Sequence, residues 1–148
     1  MNLSEGGGLF LLEKYKAGSS GQVHAFVKGV GGASDAFHMI NSHPEGFGAT
    51  FSMINALNCA GFLPENIDYI NAHGTGTQSN DAAESAAVAK LFKTPTPISS
   101  TKAFHGHALG GSAAIELAVC IAALQSQKLW CGLFEDHEYG NTICHAKQ

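Results

Sequence analysis

No arginine occurs in this chain; all eight of its basic residues are lysines, and the net charge is -4. Nucleic-acid binding draws most of its affinity from clustered Arg and Lys, so this balance argues against a nucleic-acid partner. Charge of either sign is scarce, at 14% of residues. A surface with few charges is expected to turn part of itself toward another chain or domain. The four cysteines, Cys59, Cys120, Cys131 and Cys144, include no CxxC pair. Cys59 and Cys120 fall inside apolar helical patterns, where a free thiol acts as a small core residue. That usage suggests a reducing, cytoplasmic setting rather than a disulfide framework. The first residues show no charged stretch leading into an apolar one, so no secretory signal is expected. Internal repeats and low-complexity segments are also missing.

What is present suits one compact α/β domain. A length of 148 residues is enough to bury a core, and 18 glycines point to tight turns and close backbone approaches. Apolar runs at Leu9–Glu13 and Val23–Val30, separated by a polar Gly- and Ser-containing stretch, are expected to pair as antiparallel strands. A turn-rich loop from Gly29 through Asp35 and His38 leads to Pro44. Phe47–Ala60 carries apolar residues at helical spacing, with Gly61 as its stop. Ile67–Ala72 predicts a buried strand. A helix follows over about Ala82–Phe92, opened by Asp81 with Glu84 three residues on, a capping-box spacing. Ile98–Thr101 predicts a short strand, and Leu109–Leu124 a long helix.

That last helix is apolar on nearly every side, which predicts a central helix covered on all faces. Its length is borderline for a membrane span. Glu116 in its middle would cost about 2.5–3.5 kcal/mol to insert, and its small residues suit close backbone packing, so no membrane span is expected.

Two segments place reactive residues directly after predicted strands: Asn71-Ala72-His73-Gly74-Thr75-Gly76-Thr77 and Ser99-Ser100-Thr101-Lys102-Ala103-Phe104-His105-Gly106-His107. Ligands of open α/β sheets bind beyond the carboxyl ends of the strands, so neighbouring parallel strands would bring His73, Lys102 and His107 to one pocket. Two imidazole N–H groups at one carbonyl oxygen stabilise negative charge developing there. A nearby ammonium favours anions and disfavours protonation of histidines beside it. Thr75 and Thr77, flanked by glycines, offer hydroxyls where a thin substrate arm can approach.

These motifs in this order, with Ser4-Glu5-Gly6-Gly7-Gly8 and Gly32-Ala33-Ser34-Asp35-Ala36-Phe37-His38 upstream, resemble the β-ketoacyl-[acyl carrier protein] synthase family, thiolase-like enzymes. The likeness runs from Ser4 to about Leu124. It implies a fold of two similar βαβαβαββ halves in a five-layered α-β-α-β-α core. This chain then corresponds to the closing hairpin of the first half (1–30) and the C-terminal domain (31–128). A divergent tail follows (129–148). The corresponding fold class is the C-terminal half of a thiolase-like fold, a mixed five-stranded sheet covered by helices and incomplete relative to the family.

By the same resemblance, His73 and His107 match the histidines that hold the malonyl thioester oxygen during decarboxylative Claisen condensation. Lys102 matches the lysine that tunes them and Glu116 the acid beside it. Asp81 and Glu84 match supporting acids, and Thr75 and Thr77 match contacts to the phosphopantetheine arm of acyl carrier protein. That arm belongs to the substrate; the resemblance implies no cofactor bound by the protein. Gly76 departs from the serine found in many relatives. The nucleophilic cysteine belongs to the family's first half, and none of the four cysteines here sits in an activating strand-to-helix elbow.

Rival readings follow from single features. His105 and His107 form an HxH pair, with His137, Cys144 and His145 downstream, but the spacing matches no common zinc framework, so no metal is expected. Gly74-Thr75-Gly76 lacks the full dinucleotide-binding pattern. Asp81 and Glu84 read as plain helix caps on the bland view, whereas a carboxylate inside an apolar helix, Glu116, needs a partner. A non-catalytic chain that only dimerises or binds carrier protein is the alternative to an acyltransferase. Homo-oligomerisation, or association with a complementary ketosynthase half, is expected from the incomplete sheet.

Overall fold

The computed structural model describes residues 1–18, 21–94 and 96–129. In chain order its elements are α1 (Phe47–Ala60), β1 (Ile70–Asn71), α2 (Gln78–Leu91), β2 (Ile98–Ser99), α3 (Lys102–His105) and α4 (Ser112–Ser126). Short 3-10 turns at Pro64–Asn66 and Leu109–Gly111 complete them. The tail beyond Leu129 expected to diverge, with His137, Cys144 and His145, lies outside the described residues.

β1 and β2 pair in parallel, with Ile70 opposite Ile98 and Asn71 opposite Ser99. Leu3 forms a single parallel bridge with His107. The ladder is short, but its direction is the expected one: both strands run toward the two motif loops. The five-stranded sheet is realised among the described residues only as this pair and the bridge.

The expected hairpin is not formed as a ladder. Leu9–Glu13 and Val23–Val30 form no ladder with each other, although the rings of Tyr15 and Phe26 meet edge-to-face at 5.0 Å. A two-stranded hairpin is marginal without a covering layer, and Leu9 here is fully exposed at 102%. The end of the second run and the residues after it lie against α1, where a methyl group on Gly29 would collide with the carbonyl of Ala56 and one on Gly31 with that of Ser52. Asn55 Nδ2 donates to Gly32 O at 3.1 Å on the same face.

Helix α1 has the predicted bounds, and Gly61 closes it in left-handed backbone with its N–H on Asn58 O, 3.2 Å. Helix α2 begins earlier than its sequence pattern, at Gln78, with Thr77 as N-cap. Asp81 and Glu84 therefore lie inside the helix, which frees Glu84 from capping. Helices α1 and α2 pack on each other, and the buried apolar residues are small except for Leu57: Ala72, Ala83, Ala87, Ala108 and Ala123. Alanines at these positions let backbones approach closely but bury little apolar area each.

The long apolar helix is split, a 3-10 turn at Leu109–Gly111 handing over to α4. It is not covered on all faces. Gly6–Gly8 lie across its first turns, against Ala114 and Ile115, whereas Leu117 and Leu124 remain exposed. The stretch Leu109–Ser126 is long and apolar enough to cross a membrane by length and composition alone. Two of its polar side chains, Ser112 and Glu116, are taken up by the site described next.

Candidate active site

The site is assembled by the loops that leave β1 and β2. His73 lies two residues past β1, and Lys102 opens the single turn of α3 three residues past β2. His107 follows directly, pinned to the N-terminal segment by two backbone bonds. Its N–H donates to Asn2 O at 2.7 Å, and its carbonyl accepts from Ser4 N at 3.1 Å.

Gly74 shapes the first loop. Its φ is +46°, and a methyl group there would clash with the Ser100 side chain, with Oγ only 2.7 Å away. Ser100 Oγ in turn donates to Gly74 O at 3.2 Å, tying the loops together. Gly74→Ala is therefore expected to destabilise the fold by about 2 kcal/mol or more, from left-handed backbone and overlap combined. Thermal unfolding checks this: a midpoint within about 1 °C of the parent would contradict the packing.

The imidazoles of His73 and His107 stand edge-to-face, 5.2 Å between centroids and 85° between planes. Lys102 is buried, its side chain 4% exposed, and it uses its ammonium fully. It donates to Glu116 Oε1 in a very short ion pair, to His73 O at 2.5 Å and to His73 Nδ1 at 3.3 Å. An ammonium has no acceptor, so Nδ1 of His73 must be the unprotonated nitrogen and Nε2 carries its proton. Leu109 N–H points at Nδ1 of His107, 3.3 Å away, which places that ring's proton on Nε2 as well. Both histidines thus carry an Nε2–H donor that meets no acceptor among the described residues.

His107 is held below the ordinary imidazole value of 6.5, first by loss of hydration, then by repulsion from His73 on protonation and from the Lys102 ammonium; Glu116 opposes the shift. The unfolded chain takes up a proton below 6.5 that folded His107 resists. Acidification from that value down to the lower folded pKa therefore costs stability.

Glu84 grips the first loop. Its two carboxylate oxygens accept the backbone N–H groups of His73 at 2.7 Å and Gly74 at 2.8 Å. The bland reading of Glu84 as a helix cap is replaced by this contact. Asp81 behaves differently. Its carboxylate accepts from Asn80 Nδ2 at 3.0 Å, and no hydrogen bond joins it to His73, Lys102 or His107 among the described residues. Thr75 and Thr77 share a hydroxyl–hydroxyl bond of 2.8 Å beside the loop. His105 turns aside from His107, with Nε2 on Thr101 Oγ1 at 3.0 Å and Nδ1 on Gly106 O at 2.8 Å.

Sequence reasoning missed two groups. Asp35 anchors the loop before α1 by accepting His43 N–H at 3.0 Å and Gly48 N–H at 2.5 Å. These backbone bonds hold its carboxyl below the usual range. A cavity of about 210 Å³ separates Asp35 and Ser42 from His73 and Glu84. The other is Ser112, whose Oγ lies 2.7 Å from His107 Nδ1. No spacing rule singles out a serine five residues past a histidine, and only the turn at Leu109–Gly111 brings it back.

Parallel strands ending in this pair of loops, with the apolar helix alongside, define the C-terminal half of a thiolase-like fold. Residues 24–131 match the beta-ketoacyl synthase, C-terminal domain, and the chain belongs to the β-ketoacyl synthase family. It is 39% identical over 128 residues to nodulation protein E of Rhizobium meliloti, covering 83% of this chain and 31% of that protein. Against 3-oxoacyl-[acyl-carrier-protein] synthase 2 of Coxiella burnetii the identity is 37%, with the same coverage. Among solved structures, the ketosynthase ApeO in complex with its chain length factor ApeC, from Xenorhabdus doucetiae, superposes with a TM-score of 0.65. The identity is 47%, over 68% of this chain and 25% of that chain. The chain spans about a third of the length of these curated relatives.

Proposed function

We propose that these residues supply the decarboxylation and oxyanion half of a β-ketoacyl-[acyl carrier protein] synthase, acting on malonyl-carrier protein. The observation that carries this is the pair of facing imidazoles, His73 and His107, each with its Nδ1 occupied and its Nε2–H free. The malonyl thioester oxygen accepts from both Nε2–H groups. Loss of CO₂ breaks the bond between the carboxylate and the α-carbon. The electron pair of that bond passes into the enolate, whose oxygen the two donors stabilise. The α-carbon then attacks the acyl thioester on the family's nucleophilic cysteine, which no cysteine described here resembles; the carbon–carbon bond forms as the acyl carbon–sulfur bond breaks and the cysteine leaves as thiolate. Lys102 holds His73 in register, Glu116 holds Lys102, and Glu84 fixes the loop backbone. Thr75 and Thr77 line the approach of the phosphopantetheine arm, and Asp81 supports the start of α2.

The naming of relatives for acyl-carrier-protein substrates supports carrier protein as the partner. The pairing of a similar ketosynthase with a chain length factor supports association with a second subunit of that kind. The competing reading, a chain that only dimerises or binds carrier protein, leaves unexplained why Lys102 is committed to both Glu116 and His73.

Incubation of these 148 residues with malonyl- and acyl-carrier protein tests the reading. Release of CO₂ without formation of 3-oxoacyl product is expected. Condensation by these residues alone would overturn the division of labour, and no CO₂ release at all would overturn the assignment of the histidines.

A further inference from the structure

Ser112 is the first residue of α4, one position past the N-cap Gly111, and no side-chain cap bond closes this helix start. Its hydroxyl is used elsewhere. The side chain is buried, at 3% exposure, and Oγ lies 2.7 Å from Nδ1 of His107, closer than the Leu109 N–H at 3.3 Å. The direction of the bond follows from the third group. Were Nδ1 protonated and donating to Ser112, the Leu109 N–H would point at another N–H, a repulsive arrangement in a buried place. Nδ1 therefore accepts from both, and Ser112 is a donor.

We propose that the Ser112 hydroxyl is a positioning group for His107. It donates to Nδ1 and, together with the Leu109 N–H, fixes the ring's proton on Nε2. Its value to catalysis rests on the reading above, in which Nε2–H meets the malonyl oxygen; its effect on the ring does not.

The surroundings make the effect readable. His107 is faced by His73 from the loop after β1, by Lys102 from α3 and by Glu116 from α4. The N-terminal segment beside it contributes backbone bonds from Asn2 and Ser4. None of these groups replaces a hydroxyl on Nδ1, and burial keeps water from doing so. The hydroxyl can turn to accept from a protonated Nδ1, whereas the Leu109 N–H cannot, so the unprotonated Nδ1, held by two donors, is the atom that reports the loss of Ser112.

Long-range ¹H–¹⁵N spectra of the histidine rings, followed through pH, test this in the 148-residue protein and in Ser112→Ala. The parent is expected to show His107 with its proton on Nε2. In Ser112→Ala the resonance of the unprotonated Nδ1 should move clearly further than that of Nε2, because one of its two donors is gone. Ser112→Cys, nearly the same shape with a weak donor, should reproduce the move and guards against misfolding of the alanine variant. Ser112→Thr, which keeps the hydroxyl, should stay near the parent. An Nδ1 resonance unmoved from the parent in both Ala and Cys variants would overturn the proposal.

A second readout separates it from the functional reading. Malonyl-carrier protein decarboxylation should fall roughly two- to tenfold in kcat with KM unchanged, rescued by threonine. A parent without any decarboxylation removes the proposed function and leaves the ring spectra to decide the role of Ser112.

Discussion

Replacing either His73 or His107 by alanine is expected to lower malonyl-thioester decarboxylation by about 10²–10³, the usual effect of deleting one oxyanion donor. Both rings keep an Nε2–H without an acceptor among the described residues, because both Nδ1 atoms are occupied, one by Lys102 and one by Leu109 N–H. The double variant should lose no less than the worse single one. Its losses need not add, because in the proposed role the two donors share one oxygen. Most of the change belongs in kcat, since the enolate oxygen carries charge that the ground-state thioester does not. Release of labelled CO₂ measures it, with circular dichroism confirming that the variants fold. His107→Ala carries the larger structural risk, because its ring fills a buried place between Ser112 and the His73 ring. His73 is exposed, so His73→Ala is the cleaner test. A rate equal to the parent in the double variant would remove the assigned role outright.

The course of α1 was legible because its cues are local: apolar residues at helical spacing, then a glycine that takes left-handed backbone at its end. The meeting of His73, Lys102 and His107 was legible from topology, since two motifs that follow parallel neighbours must share an edge of the sheet. The strands themselves were less so. Ile67–Ala72 is apolar enough for a full strand, yet only Ile70–Asn71 is laddered, because a strand extends only as far as its neighbour pairs with it. Glu84 shows a different limit. Its spacing from Asp81 imitates a capping box, but the helix starts at Gln78, and the carboxylate reaches across to the backbone of His73 and Gly74 instead. Sequence carries the spacing and not the starting turn. Ser112 could not be found at all without the turn at Leu109–Gly111, which folds the chain back onto His107.

Lys102→Met should be the most destabilising of the substitutions considered, and it separates folding from chemistry. Lys102 is nearly buried and Glu116 is 18% exposed, so the methionine leaves a carboxylate without its partner inside an apolar helix. Breaking a buried pair from one side costs about 3–5 kcal/mol; partial exposure of Glu116 places this case at the lower end. For a domain of this size that corresponds to a fall in unfolding midpoint on the order of 10 °C. The variant also releases His73, which loses donors to both its carbonyl and Nδ1. A second substitution discriminates the two effects. In Lys102→Met with Glu116→Leu both charges are gone, and apolar replacement of a whole buried pair is often neutral or better. The double variant should therefore recover most of the lost stability, to within about 1 kcal/mol of the parent by denaturant unfolding. Decarboxylation should not recover with it, because nothing then holds Nδ1 of His73 unprotonated and in register. If activity returned along with stability, Lys102 and Glu116 would be parts of the scaffold only, and His73 would keep its orientation through the Glu84 grip on its backbone alone.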